Sequence, residues 1–255
     1  LKDGDPMTVV LYGIDDDAQR HQENLGQRSD SIVLMSINPK DNKTVMVSVP
    51  RDTRTEIVGH NSTEKLNHAY AYGGPKMAVN SLEKLMDVPV DHYIAINMDG
   101  VKTVVDEIGG VDITSDATFK FHNYQFEKGK KYHMDGDQAL TYMRSRKEEG
   151  AGGDGGRQLR QQQVITSVAK EAFSMNSVTK LNSIFKAAQD NLRTDLSFIE
   201  LNKFRSDYSK ADNNVERLII DGQNDKGDDG LYYFYPNNDS LNEVKQKIKD
   251  NLEMK

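Results

Sequence analysis

Three runs rich in β-branched residues, separated by polar turns, constrain the fold of this chain more than any other feature. They cover residues 8–14, 30–37 and 43–49. Runs of this length and composition predict strands, and Asn38-Pro39 with Asp41-Asn42 between the last two indicates a hairpin. The first fifth of the chain is therefore predicted to contribute neighbouring strands to one sheet.

Helical apolar spacing alternates with further strand-sized runs along the rest of the chain. Pro75 is typical of a first helical position, and Asp135 is a predicted N-cap. Helices are predicted over 76–86, 99–108, 135–144, 157–173, 181–188 and 240–252, and strands over 93–97, 215–220 and 232–235. This alternation predicts an α/β fold in which helices cover a central mixed β-sheet.

Length and charge limit the classes of protein to which the chain can belong. The 255 residues include 33 Lys plus Arg and 40 Asp plus Glu, a formal charge of −7. An acidic balance argues against a broadly cationic nucleic-acid binder, so any anion site must be a local basic cluster. We expect one domain over 1–255, with a motif-bearing core at about 8–175 and a C-terminal α/β portion over 176–255.

Missing features exclude several kinds of site. The chain has no Cys, which excludes disulfides and thiolate metal sites. The histidines, His68 among them, show no metal-ligand spacing, and no G-x-S-x-G motif indicates an acyl-transfer serine. No run approaches the ~18–20 apolar residues of a spanning helix. Because the chain starts at Leu1 without a signal sequence, we expect an upstream part that could include an anchor.

Acidic residues at the ends of the first two predicted strands form the first candidate site. Asp15, Asp16 and Asp17 follow the first strand, and Asp30 opens the second after Arg28. Carboxylates at neighbouring strand ends can converge, and Mg²⁺ favours one or two carboxylates together with waters and phosphate oxygens. The alternative is a set of solvated turn acids, and spacing alone does not decide between the two.

Two arginines at the end of the third strand form the second candidate site. The strand runs into Pro50 and then Arg51-Asp52-Thr53-Arg54. The forked donors of guanidinium groups match phosphate, and ligands of α/β sheets usually lie beyond the carboxyl ends of strands. A surface turn in which Asp52 pairs with Arg51 or Arg54 explains the same residues equally well.

The third and strongest candidate is a run of arginines around a glycine-rich segment. The segment 150–156 holds five glycines, and the polar residues around it are Arg144, Arg146, Asp154, Arg157, Arg160 and Gln161. If a helix starts near Arg157, then Arg157, Arg160 and Gln161 share one face of its first turn, where free N–H groups attract anions. A Walker motif is absent because no Gly-Lys-[Ser/Thr] ends the segment, and a solvated loop with surface arginines remains the alternative.

Read in order, these motifs resemble the LytR-CpsA-Psr family. The matching segments are Gly13-Ile14-Asp15, Arg28-Ser29-Asp30-Ser31, Val49-Pro50-Arg51-Asp52-Thr53, Lys65-Leu66-Asn67-His68-Ala69-Tyr70, Gly109-Gly110-Val111-Asp112, and Ala139 to Arg146 with the arginines and Gln161 that follow. The resemblance implies an α/β/α sandwich with an apolar lipid-binding pocket. It also implies a phosphotransferase that moves an anionic glycopolymer, such as wall teichoic acid or capsule, from a polyprenyl-pyrophosphate carrier to peptidoglycan, forming a phosphodiester.

The resemblance also implies roles for individual residues. Asp15 and Asp30 would hold Mg²⁺, although the long segment between Asp15 and Arg28 leaves open which of Asp15, Asp16 and Asp17 meets the metal. The pyrophosphate would be clamped by Arg51, Arg144, Arg146, Arg157, Arg160 and Gln161, with Arg28 assisting. Asp154 would orient an arginine or act as a base.

The resemblance places such an enzyme on the outer face of the cell membrane of a Gram-positive bacterium, anchored by one N-terminal helix and without a nucleic-acid partner. Two alternatives share the same residues: a polyprenyl-pyrophosphate hydrolase that uses water as acceptor, and a non-catalytic envelope module that binds anionic polymer. The acids at positions 15 and 30 favour catalysis, because a groove that only binds anions gains nothing from carboxylates beside phosphate.

Overall fold

A computed structural model describes residues 4–15, 27–175, 177–211 and 214–254. Its strands are β1 Met7–Asp15, β2 Arg28–Asn38, β3 Lys43–Ser48, β4 Arg54–Ile57, β5 Ser62–Lys65, β6 His92–Asn97, β7 Val111–Thr114, β8 Phe119–Phe121, β9 Tyr124–Phe126, β10 Lys131–Met134, β11 Leu192–Thr194, β12 Val215–Leu218, β13 Gly222–Lys226 and β14 Tyr232–Pro236. Its helices are α1 His68–Met86, α2 Met98–Ile108, α3 Gly136–Arg144, α4 Gly153–Ser174, α5 Val178–Ala188, α6 Phe198–Ala211 and α7 Asn238–Asn251.

The central sheet has six strands in the order β11-β6-β1-β2-β3-β12. Strands β1, β2 and β3 pair antiparallel, whereas β12 pairs with β3 in parallel. The predicted α/β fold with a central mixed sheet is therefore confirmed. The apolar lipid-binding pocket stays a prediction.

The chain separates into two compact units, one made of residues 1–95 and 194–255 and the other of residues 96–193. In the first unit, one apolar cluster joins the sheet to α1 and α7. Its members include Val10, Ile32, Val47, Leu82 and Val244. Burial of these side chains fixes the strands whose ends carry the candidate residues. The prediction of one domain over 1–255 is not tested by this division.

Local chemistry explains the start of α3 and a break inside α1. The Asp135 carboxylate accepts the Gln138 N–H at 2.8 Å, so the predicted N-cap of α3 is confirmed. Helix α1 is broken at Gly73 and Gly74, and the second of these takes a left-handed φ of 63° because Pro75 disfavours helical backbone before it. Among the described helices, none has the length and apolar character to cross a membrane.

Candidate functional site

A β-bulge places Asp30 at the end of the central sheet in the first unit. Gly13 of β1 lies opposite Ser31, and the next residue, Ile14, lies opposite Ser29. Asp30 is therefore the extra residue in β2, opposed by no single residue of β1. A bulge of this kind changes the direction in which a side chain points at a strand end. It also interrupts the regular alternation of side chains between the two faces of the sheet.

Arg51 meets Asp30 directly. Its Nη1 donates to Asp30 Oδ1 at 2.6 Å. The Asp30 side chain is 4% exposed and that of Arg51 is 16% exposed. A buried carboxylate needs a partner of opposite charge, and a charge-assisted hydrogen bond of this length supplies one. The predicted metal ligand and the predicted phosphate ligand of this unit therefore lie in one place.

The turn that carries Arg51 is fixed by backbone bonds on both sides. The Asn67 N–H donates to the Arg51 carbonyl at 3.1 Å, and the Phe234 N–H donates to the Asp52 carbonyl at 2.9 Å. Lys65 adds an ion pair from Nζ to Asp52 Oδ1 at 3.1 Å. We call Asp30, Arg51, Asp52 and Lys65 the Arg51 cluster. Its backbone is held before any ligand arrives, which favours binding of a defined anion.

The other residues predicted in this unit are described only in part. Asp15 ends β1 opposite Arg28, but its side chain lies outside the described residues, as do Asp16 and Asp17 altogether. Arg28 is half-buried and has interaction partners. Within the described ranges, no three His, Asp or Glu side chains group closely enough to hold a metal ion. The choice among the three acids therefore stays open.

Arg160 in the second unit is enclosed by acceptors of its own protein. Its side chain is 0% exposed. Nη2 donates to the carbonyl oxygens of Ser145 at 3.0 Å and Ala151 at 2.7 Å, and Nη1 donates to Asp116 Oδ1 at 3.3 Å. A buried guanidinium is tolerated only when its donors find such acceptors. We call Asp116, Tyr142, Ser145, Ala151 and Arg160 the Arg160 cluster.

Aromatic rings complete the enclosure of Arg160. The guanidinium carbon lies 4.8 Å from the ring centre of Phe119 and 5.8 Å from that of Tyr142. The Tyr142 hydroxyl donates to Asp116 Oδ1 at 3.0 Å, so the acid links the arginine and the tyrosine. Burial raises the pKa of Tyr142 to about 12, so the phenol stays neutral and keeps its donor proton.

Through these bonds Arg160 connects both ends of the segment 145–151. Ser145, whose carbonyl it binds, lies between Arg144 and Arg146, both of which are exposed. Ala151, whose carbonyl it also binds, precedes the glycines at the start of α4. The prediction that Arg160 itself binds pyrophosphate is not tested.

The expected helix start near Arg157 is wrong: α4 begins at Gly153. The unpaired first-turn N–H groups therefore lie four residues earlier, and Arg157 stands in the second turn. Glycine at 156 is what lets the helix start there, because a Cβ at this position would overlap the Ala151 carbonyl oxygen. The anion-binding argument drawn from a helix start at Arg157 falls with it.

The remaining predicted residues of the second unit lie on the same helix. Arg157 is half-buried and has partners, whereas Gln161 is buried. Asp154 lies in the first turn of α4, and its side chain lies outside the described residues. The ligand roles of Arg144, Arg146, Arg157 and Gln161 and the role of Asp154 stay predictions.

Sequence reasoning missed two polar residues that these clusters use, Asp116 and Lys65, and a third polar residue, His68, in the same segment as Lys65. Asp116 carries no sequence signal, since it lies in a loop far from the arginines it serves. Lys65 and His68 stand inside the Lys65-to-Tyr70 segment that matched the family, but nothing in the sequence alone gave them a role. Their contacts to Asp52 and Glu64 emerge only from the pairing of β4 with β5 and the start of α1.

Comparison with known proteins agrees with the resemblance. The model of the LytR_cpsA_psr family matches residues 1–250. The polyisoprenyl-teichoic acid–peptidoglycan teichoic acid transferase TagU of Halalkalibacterium halodurans is 38% identical over 250 residues, which are 98% of this chain and 80% of that protein. TagU of Bacillus subtilis is 36% identical over 249 residues, 98% of this chain and 79% of that protein.

Solved structures agree as well. The crystal structure of B. subtilis TagU matches with a TM-score of 0.76 at 35% identity and covers 98% of both chains. A structure of TagT bound to LIIa-WTA matches with a TM-score of 0.78 at 30% identity, covering 100% of this chain and 94% of that chain.

Proposed function

Because this chain belongs to the LytR-CpsA-Psr family, we propose that it transfers an anionic glycopolymer of the wall teichoic acid type from a polyprenyl-pyrophosphate carrier to peptidoglycan, forming a phosphodiester. The observation that carries the proposal is the 2.6 Å contact between Arg51 and Asp30. It joins a phosphate-binding group to a metal-binding group in a chain whose relatives are named as teichoic acid transferases.

The residues of each unit supply what this reaction requires. A pyrophosphate gains negative charge on its leaving group as the bond breaks, and preorganised cations lower that barrier. In the first unit, we assign Arg51 to the pyrophosphate oxygens, with Arg28 assisting. In the second unit, we assign Arg144, Arg146, Arg157 and Gln161 to phosphate oxygens. Arg160 we assign to holding the segment 145–151, in place of the ligand role that the sequence predicted.

Mg²⁺ is the cofactor that we propose. The donor set fits a hard cation: Asp30 offers a buried carboxylate at the bulge, and Asp15 ends the neighbouring strand. The Ser29 and Ser31 hydroxyls beside Asp30 are buried, and no hydrogen-bond partner for them exists among the described residues. Bound Mg²⁺ would withdraw charge from the pyrophosphate oxygens. Asp30 and Asp15 would hold the ion, and Arg51 beside Asp30 would bind phosphate oxygens.

We also propose the outer face of the cell membrane as the place of action, with attachment through an N-terminal helix as the family implies. Peptidoglycan, the acceptor named for the TagU relatives, lies on that side. Nucleic acid is not a partner in this proposal, which agrees with the net charge of −7.

Transfer by the purified protein tests the function. The assay combines a polyprenyl-pyrophosphate-linked glycopolymer, Mg²⁺ and a peptidoglycan oligosaccharide, and mass spectrometry detects the adduct. We expect Asp30→Ala and Arg146→Ala each to reduce the adduct by about 10²–10³-fold. Arg217→Ala is the matched control, because Arg217 is an exposed arginine on β12.

Each alternative gives a different result in the same assay. A hydrolase would release polyprenyl phosphate without an adduct even when acceptor is supplied. A binding module would show salt-sensitive association without turnover. Undiminished transfer by both variants would refute the assignment of these residues.

A further inference from the structure

The segment Lys65 to Tyr70 contains a histidine to which the proposed function gives no role. We propose that His68, oriented by Glu64, is the general base that takes the proton from the acceptor hydroxyl. This inference rests on the proposed function and names the proton acceptor of its transfer step.

The geometry is that of a histidine held by a carboxylate. His68 Nδ1 lies 2.8 Å from Glu64 Oε2, and the Tyr72 hydroxyl donates to the same oxygen at 2.7 Å. In neutral His68, the carboxylate keeps the proton on Nδ1, which leaves the Nε2 lone pair as the acceptor. The side chain of His68 is 15% exposed, so an edge of the ring reaches the surface.

Glu64 is suited to orienting the ring and not to taking the proton itself. Burial raises the pKa of Glu64, but hydrogen bonds from His68, Tyr72 and Ser62 outweigh it and hold the pKa at about 2. A carboxylate that stays ionised at neutral pH is a weak base, whereas it stabilises a neighbouring imidazolium once the proton has moved.

Backbone contacts join the segment that carries the pair to the Arg51 cluster of its own unit. The residue before His68 donates its N–H to the Arg51 carbonyl at 3.1 Å. On β5, the residue after Glu64 is Lys65, which pairs with Asp52 in the Arg51 cluster. The hydrogen bond to Glu64 raises the pKa of Tyr72, against a smaller lowering by the positive charge of Arg28.

The charged and titratable groups linked to His68, directly or through Glu64 and Tyr72, come from three elements and one turn. Glu64 lies on β5, Tyr72 on α1 and Arg28 on β2. His60 lies in the turn between β4 and β5, with Nδ1 3.9 Å from Glu64 Oε1 and its ring stacked on Tyr72 at 4.0 Å. His60 is exposed and is the natural control, because it meets the same partners without the short bond to Glu64.

The transfer step forms one bond at phosphorus and breaks another. The oxygen of the acceptor hydroxyl forms a bond to the phosphorus that carries the glycopolymer. The bond from that phosphorus to the bridging oxygen breaks, its electron pair goes to that oxygen, and polyprenyl phosphate leaves. The hydroxyl proton passes to His68 Nε2 and then to solvent.

The pH dependence of transfer tests this role. A histidine base gives an acid limb in the pH–rate profile, because protonation removes the acceptor lone pair. We expect His68→Gln to lower kcat by about 10²–10⁴-fold and to abolish that limb, with partial rescue by added imidazole. We expect His60→Gln to keep both the rate and the limb. Binding of polyprenyl pyrophosphate to His68→Gln should change less than about twofold, which also reports an intact fold.

A second variant distinguishes a general base from a histidine that only stabilises the contact between β5 and α1. In Glu64→Gln, the imidazolium formed by proton transfer loses its anionic partner, so kcat should fall while binding of polyprenyl pyrophosphate stays unchanged. If the wild type transfers the polymer and His68→Gln keeps the same acid limb, the role of His68 is overturned and the proposed function stands. Failure of the wild type to form any adduct would overturn the proposed function and this inference together.

Discussion

Arg51 and Arg160 look alike in the sequence. Arg51 follows a strand, Arg160 follows the glycine-rich segment, and the family resemblance implies that both bind pyrophosphate. The structure separates them. Arg51 donates from Nη1 to Asp30 at 2.6 Å and pairs through Nε with Asp52 at 3.7 Å, and part of its side chain reaches the surface. Arg160 is fully enclosed and divides its donors among Asp116 and the carbonyls of Ser145 and Ala151.

The difference shows what an arginine needs in order to serve a ligand. A partly exposed guanidinium that pairs with the side chains of Asp30 and Asp52 can exchange such a partner for phosphate. Arg160 donates to two backbone carbonyls. If its guanidinium moved to a ligand, those carbonyls would be left without a hydrogen bond in the protein interior. We therefore expect the two arginines to fail in different ways when they are changed.

The largest effect is expected from Arg160→Met. Removing one partner of a buried ion pair costs about 3–5 kcal/mol, because Asp116 loses its cationic partner and two buried carbonyls lose their donor. Urea unfolding followed by circular dichroism measures the change. Lys170→Met, an exposed change on the same helix, should stay within about 0.5 kcal/mol. A stable Arg160→Met protein that has lost transfer would show instead that Arg160 contacts the substrate.

Arg51→Lys should give the opposite result. Lysine keeps a positive charge beside Asp30 but loses the fork that matches phosphate, so transfer should fall by about 10²-fold. Stability should fall by less than in Arg160→Met, because lysine keeps a positive charge beside the buried Asp30 carboxylate. The control is Arg54→Lys. Arg54 is the nearby arginine just after the same turn, and its guanidinium lies over the ring of Tyr233, 5.8 Å from the ring centre. Equal losses of rate in the two variants would remove the distinction drawn for Arg51.

Two neighbouring glycines sharpen the account of Arg160. A Cβ at Gly156 would overlap the Ala151 carbonyl oxygen and lie 3.1 Å from Arg160 Nη1, whereas one at Gly155 meets nothing within 4 Å. Gly156→Ala should destabilise the fold by about 1–3 kcal/mol. Gly155→Ala should stabilise it by about 0.5–1 kcal/mol, because alanine favours helix. Thermal unfolding of the pair decides, and similar melting temperatures would contradict the packing argument.

The sequence predicted the elements whose signals are local. The three opening strands appear within two residues of their expected bounds because β-branched periodicity is strong there. Helix α6 was missed: its buried Leu201 and Phe204 are preceded by exposed Phe198 and Ile199, which blur the apolar stripe. The start of α4 was misplaced because glycine disfavours helix, and only the contact with Ala151 explains Gly156.

Within the candidate site, residue types could be predicted but directions could not. The spacing placed Arg157, Arg160 and Gln161 on one helix face, yet a charged side chain is expected to face water. That Arg160 turns inward depends on Asp116, which lies 44 residues away. The bulge that isolates Asp30 is likewise a matter of register between two strands, and the sequence carries no mark of it.

The smallest expected effect concerns Glu64, a partly exposed carboxylate whose partners are side chains and not backbone. Its pKa in the folded protein, about 2, lies below the ordinary value of 4.5. Its stabilisation is therefore fully present above about pH 4.5 and is lost as the pH falls towards 2. Glu64→Gln should cost roughly 1 kcal/mol at pH 7, the net value of about one hydrogen bond. Urea unfolding between pH 7 and pH 3 should show this difference shrinking below about pH 4.5.

Glu56→Gln is the matched control for this change, because Glu56 is an exposed carboxylate on the neighbouring strand β4. Its stability should follow the wild type at every pH. A difference between Glu64→Gln and wild type that stays constant down to pH 3 would mean that the carboxylate contributes by packing. In that event the short bond to His68 would no longer support an oriented imidazole, whereas the contrast between Arg51 and Arg160 would stand, since it depends on neither residue.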